Sequence, residues 1–157
     1  MVAHRRGVVR GPDVTAVETN ILVHAHRAEM PGHARAREAI TRLAEGSAPW
    51  AIPWPCVHEF LGIVTRASLW QRPSTPTEAA RQVRAWAASP TVHLLSEGDR
   101  TLGLVLDLVE RAAITGPKVH DARIVALCLA HGVRQLWTAD RDFSRFPALA
   151  THNPLVR

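Results

Sequence analysis

The stretch Val14–His26, VTAVETNILVHAH, opens with a β-branched run, meets the carboxylate of Glu18, and then turns apolar at helical spacing. The run reads as a short buried strand, Val14–Val17, and the sequel as a helix from about Asn20. A glutamate at such a junction gains little as a cap or turn former. Its placement needs another reason, which the rest of the chain supplies.

Downstream the pattern repeats. HARAREAITRLAE (33–45) carries Ala36, Ile40 and Leu43 on one helical face, with Glu38 and Arg42 paired on another. Ala51–Pro53 reads as a short strand, weakened by its prolines. In PCVHEFLGIVTRA (55–67), Val57, Phe60, Leu61 and Val64 fall at i, i+3, i+4 and i+7, the spacing of an amphipathic helix. The next helix opens with a capping box, Thr75 to Glu78, and Pro76 at its first position; Ala79, Val83 and Trp86 form its inner face. TVHLL (91–95) is a strand by β-branching. The helix over DRTLGLVLDLVERAAI (99–114) is expected to face inward through Leu102, Leu106, Val109 and Ala113, with Asp107, Glu110 and Arg111 outside. DARIVALCLAHG (121–132) is apolar nearly all round, a central buried helix stopped by Gly132. RQLWTAD (134–140) is the last clear strand, and THNPLVR (151–157) adds an edge strand. Strands alternating with helices specify an α/β domain with a mainly parallel sheet, which presents ligand sites at the carboxyl ends of its strands.

The 157 residues suit one domain with a real core, and 46% apolar with 21% charged residues excludes wholesale disorder. Apolar runs are too short to span a membrane, and the first residues lack the apolar core of a signal peptide. Residues 1–12 read as a basic arm, disordered or produced by an upstream start codon, ahead of a domain over 13–157. Cys56 and Cys128 lack a Cys-x-x-Cys partner and read as buried thiols in a reducing cytoplasm. The formal charge of +5 is carried almost wholly by arginine, whose planar fork suits phosphate. Arginine bias also follows from a GC-rich genome, so charge alone does not specify nucleic acid.

Most acids fall on outward helical faces. Glu18 follows the first strand, Asp140 the last clear one with Asp142 two residues on; Asp121 starts the buried helix, and Glu59 lies beside an inward stripe. Asp121 also reads as a helix N-cap, Asp140 and Asp142 as turn residues, and Glu59 as a surface residue. A parallel sheet would nonetheless bring both strand ends and the helix start to one rim. Two like charges 4 Å apart repel by about 4 kcal/mol at an effective dielectric near 20, so such a cluster must share protons or bind a cation. Oxygen-only ligands suit Mg²⁺ or Mn²⁺ and fit zinc poorly. Asn20 and Thr138 are placed to orient the acids. A bound divalent ion would serve phosphodiester hydrolysis.

The segments VETNILVHA, PWPCVHEFLGIVT, VHDARIVALCLAHG and LWTADRDFSRFPAL…NPL, in this order, resemble the PIN-domain ribonuclease toxins of VapC type, from about Val14 to Leu155. The resemblance implies a PIN-like three-layer α/β/α sandwich that cuts RNA with Mg²⁺ or Mn²⁺. It implies Glu18, Glu59, Asp121 and Asp140 as the catalytic acids. Glu18, Asp121, Asp140 and the auxiliary Asp142 are then the metal ligands, backed by Asn20 and Thr138. It further implies a cytoplasmic protein, a small VapB-type antitoxin whose C-terminal segment covers the acidic groove, and a homodimer. The family usually has aspartate where this chain has Glu18, which moves the charge outward by about one C–C bond, roughly 1.5 Å. Misplacement on that scale can cost about 10²-fold in rate. An impaired module that only binds RNA or its antitoxin is therefore the alternative.

Other signals are weaker. Arg27, Arg66, Arg123 and Arg141 lie within about a turn of a proposed acid and are candidate RNA contacts. Trp50 and Trp54 flank a proline-rich loop near the groove and are candidate base-stackers. The histidines lack an H-E-x-x-H zinc spacing, and no P-loop, G-x-G-x-x-G or G-x-S-x-G is present. A receiver-like phosphotransfer domain needs a lysine after a late strand, whereas the only lysine, Lys118, precedes the buried helix. Glu18→Asp is expected to keep or raise Mg²⁺-dependent RNA cleavage and Asp121→Asn to abolish it. Unchanged cleavage after Asp121→Asn would remove that residue from the site.

Overall fold

The computed structural model describes residues 13–157; the basic arm read at 1–12 lies outside the described residues. The chain runs β1 (Thr15–Val17), α1 (Thr19–His26), α2 (His33–Glu45), β2 (Trp50–Pro53), α3 (Trp54–Val64), α4 (Pro76–Ala87), β3 (Val92–Leu95), α5 (Thr101–Arg111), α6 (Val119–Ala130), β4 (Gln135–Trp137) and β5 (Ala150–His152). Short 3₁₀ turns occupy Gly116–Lys118 and Arg141–Arg145.

The five strands form one sheet in the order β3-β2-β1-β4-β5, and every neighbouring pair is parallel. The chain winds from β1 outward to β3, then crosses back to lay β4 on the other side of β1. Right-handed crossovers put the helices of those two legs on opposite faces of the sheet. Packing follows: α1 contacts α2 and α3, α3 contacts α4, and α5 contacts α6. The result is an α/β/α sandwich. The reversal of strand order between β1 and β4 opens a crevice at their carboxyl ends, the usual ligand position in such sheets.

The core forms where the apolar periodicity placed it. Ala16, Val17, Ile21, Leu22, Phe60, Val64, Ile124, Val125, Leu127 and Leu136 are among its buried members. Strand β2 is entirely buried and lies between β1 and β3, so its prolines did not confine it to an edge. Pro53 is the last residue of the strand and the N-cap of α3, where a missing N–H matters least. The capping box of α4 forms as expected, with Thr75 Oγ1 accepting from the Glu78 N–H at 3.1 Å and Glu78 Oε2 accepting from the Thr75 N–H at 2.8 Å. Gly132, with φ of 72°, ends α6 in the left-handed conformation that glycine tolerates.

The expected inner face of α5 is corrected. Leu102 and Leu106 are 69% and 53% exposed, and Ala113 is also exposed. Val109 packs against the core as expected, and the residues beside it there are Leu108 and Ala112, with Thr101 buried at the start of the helix. Apolar residues crowd this helix, TLGLVLDLVER, on two adjacent faces, and packing against α6 selected one of them. The other is left as an apolar stripe on the surface. Trp50 is likewise fully buried, with its indole N–H donating to Ser89 Oγ at 3.0 Å, so it cannot stack on bases.

Candidate active site

Strand β1 ends at Val17, which pairs with Trp137 of β4, and the Glu18 N–H continues the ladder to the Trp137 carbonyl at 3.0 Å. The chain then turns directly into α1, with Glu18 at its N-cap. Contrary to expectation, Glu18 does act as a cap: its Oε2 accepts from the Asn20 N–H at 3.3 Å. The same oxygen accepts from Thr138 Oγ1 at 3.2 Å. Thr138 in turn accepts from the Asp140 N–H at 3.0 Å and from Asn20 Nδ2 at 3.4 Å. Asn20 Oδ1 closes the circuit by accepting from the Ala139 N–H at 3.2 Å. Asn20 and Thr138 thus fasten the end of β4 to the end of β1 and set the position of both acids. Asp140 caps the following 3₁₀ turn, accepting from the Asp142 N–H at 2.9 Å.

Two more elements deliver acids to this rim. Glu59, on α3, accepts from Thr19 Oγ1 at 2.9 Å, the residue next to Glu18. Asp121 lies in the first turn of α6, which begins two residues earlier than expected, so Asp121 is not its cap. Lys118 stands against three carboxylates, at 3.5 Å from Asp121, 3.8 Å from Asp140 and in close contact with Asp142. Burial pushes the Glu18 carboxyl up to about 7, with help from the negative charges of Glu59 and Asp121; the hydrogen bonds from Asn20 and Thr138 only partly offset it. Asp121 is also raised, first by burial and then by Asp140 and Glu59, despite the opposing Lys118. The acids that were far apart in sequence feel one another's charge.

A PIN-domain family model matches residues 15–149, which is most of the described chain and includes every acid of this rim. The chain belongs to the PIN-domain family. The VapC ribonuclease Mb2897 of Mycobacterium bovis is 32% identical over 139 residues, 88% of this chain and 94% of that protein. Among solved structures, VapBC2 from Rickettsia felis bound to a promoter DNA fragment matches with a TM-score of 0.66 at 16% identity, covering 89% of this chain and 98% of that one. Mycobacterium tuberculosis VapC20, a sarcin–ricin loop cleaving toxin, matches with a TM-score of 0.62 at 16% identity, covering 83% and 92%. At that identity the structural likeness speaks to the fold.

In this PIN domain the candidate arginines divide. Arg27 is buried, donates to Ser74 Oγ at 2.9 Å and the Arg72 carbonyl at 2.7 Å, pairs with Glu29, and stacks 4.4 Å from the Trp70 ring. Its donors are spent on holding the α3–α4 connection. Arg123 pairs with Glu97. Arg66 and Arg141 are exposed and make no ion pair among the described residues. Two participants escaped the sequence reading. Thr19 orients Glu59 and could have been suspected from its place beside Glu18. Lys118 was visible three residues before Asp121, an i, i+3 pairing.

The donor set of the PIN-domain rim is carboxylate, hydroxyl and amide oxygen, which fits Mg²⁺ or Mn²⁺. Among the described residues no three His, Cys, Asp or Glu side chains converge closely enough to hold one ion as they stand. An ion held by three of them would need side chains to move inward. Without an ion, Glu18 binds its proton more tightly folded than unfolded. The folded state is then progressively penalised as pH rises from about 4.5 to about 7, and the penalty is constant above that. The full penalty is about 3 kcal/mol. In chelator at pH 7.5, Glu18→Gln is expected to raise Tm by several degrees. The gain should vanish near pH 4.5; a variant equally or less stable than the parent at both pH values would contradict the buried-charge account.

Proposed function

We propose that this chain is the toxin of a type II toxin–antitoxin system, a cytoplasmic endoribonuclease that depends on Mg²⁺ or Mn²⁺. The observation that carries the reading is the convergence of Glu18, Glu59, Asp121 and Asp140 from β1, α3, α6 and β4 onto the crevice where strand order reverses. Glu18, Asp121 and Asp140 would hold the ion, with Glu59 supporting and Asp142 auxiliary. When bound, the ion supplies an acidified water and a counter-charge for the phosphate. Asn20, Thr138 and Thr19 orient the carboxylates through the hydrogen bonds described above. Arg66 and Arg141, exposed near the rim, are the arginines best able to meet RNA phosphates.

The names of the relatives support the nuclease reading, and the VapBC complexes among the structural neighbours support a VapB-type antitoxin as partner. Both cysteines are free and buried, in keeping with a cytoplasmic protein. No helix among the described residues is long and apolar enough to cross a membrane. The exposed stripe of Leu102 and Leu106 on α5, with the exposed Val119 beside it, supports a homodimer through this face. A second reading, a module that binds RNA or its antitoxin without cutting, draws on the longer Glu18 side chain and on the lysine seated among the aspartates.

A thermal titration with Mg²⁺ tests the first reading: an ion at 100 times its dissociation constant is expected to stabilise by about 2.7 kcal/mol. Cleavage of purified RNA should accompany it and disappear in chelator. Absence of cleavage, with or without stabilisation, would sink the first reading and select the binding module. For the dimer, Leu102→Glu with Leu106→Glu is expected to halve the mass measured by light scattering; an unchanged mass would place the interface elsewhere.

A further inference from the structure

We propose that Lys118 is a resident cation of the aspartate half of this site and competes there with the divalent ion. The proposal rests on the functional reading above and deepens it, by assigning control over metal loading to a side chain of the chain itself. The ion pairs split the acids into two groups. Asp121, Asp140 and Asp142 all pair with Lys118, whereas Glu18 and Glu59 are held by hydroxyl and backbone donors instead. The three aspartates come from two elements, the first turn of α6 and the segment after β4. The ammonium therefore bridges parts of the chain that no backbone hydrogen bond joins at this point among the described residues.

Two features single out this contact, whose lysine and Asp142 are 39% and 50% exposed. First, Lys118 is the N-cap residue of α6, where the helix dipole presents its positive end and a cation is disfavoured. A lysine stays there because the carboxylates hold it. Second, it is the chain's only lysine; every other basic side chain is arginine. An ammonium is a compact point charge with three donors, which suits three convergent carboxylates, whereas a guanidinium fork suits one. Its flexible stem also lets it withdraw. An incoming divalent ion meets a like charge already paired with Asp121 and Asp140, so loading requires Lys118 to give up those two partners. Lys118 is thus a positioning residue that raises the metal concentration at which the site fills.

Mn²⁺ binding to the full chain at pH 7.5, followed by calorimetry and by the loss of free-Mn²⁺ electron paramagnetic resonance signal, tests this. Lys118→Met is expected to bind Mn²⁺ at least about tenfold more tightly, a shift of about 1.4 kcal/mol. Lys118→Arg, which keeps the charge, should stay near the parent. Lys118→Gln serves where the methionine variant fails to fold. Unchanged or weaker binding in the neutral variants overturns the proposal. Asp121→Asn separates this from the functional reading: if it abolishes Mn²⁺ binding while Lys118→Met changes nothing, only the lysine's role falls. If none of the proteins binds Mn²⁺, both readings fall.

Discussion

Parallel strands all end on the same rim, and a chain that places carboxylates there must live with their mutual repulsion. That constraint organises this molecule. Glu18 and Asp140 leave adjacent strands, β1 and β4, at the point where the winding reverses; α3 and α6 add Glu59 and Asp121. The hydrophobic sandwich beneath, with Val17, Ile21, Phe60, Val125 and Leu136 fully buried or nearly so, is what holds four elements in place against that repulsion. Apolar burial is non-directional and large in sum, so it can sustain an unfavourable but localised electrostatic arrangement.

The protein offsets the repulsion by different means on its two sides. Around Glu18 it uses neutral donors, with Thr138 linking Glu18 to Asp140 and Asn20 tying the two strand ends. Around the aspartates it uses a full positive charge. Burial, which the neutral donors only partly offset, lets Glu18 hold its proton up to about 7, while the exposed Asp142, against Lys118, is held below the ordinary carboxylate range. Such a site is costly to fold, the usual relation between stability and function.

Much of this was legible from residue type and spacing. The β-branched run before Glu18, the capping box at Thr75 and Glu78, and the all-round apolar stretch of α6 each admit one structural solution. Their order specifies the parallel winding, and the winding brings the acids together. What escaped was decided by contacts that leave no periodic mark. The α5 segment has two adjacent apolar stripes, and only its docking on α6 shows which is inside. Trp50 looked like a loop aromatic until β2 took a central place in the sheet. Arg27 carried the right charge at the right distance in sequence, yet Trp70, Glu29 and Ser74 claim it for the fold. The bond from Thr138 to Glu18 spans 120 residues of sequence, and Lys118 reaches past α6 and β4 to Asp140 and Asp142.

The hydrogen bonds on Glu18 carry a further implication. The Asn20 N–H and the Thr138 hydroxyl both converge on Oε2. The carboxylate is thereby made asymmetric, with both of these donors on one oxygen. A glutamate anchored in this way is leashed at its tip, so the swing that its longer stem would allow is checked by the backbone amide of Asn20.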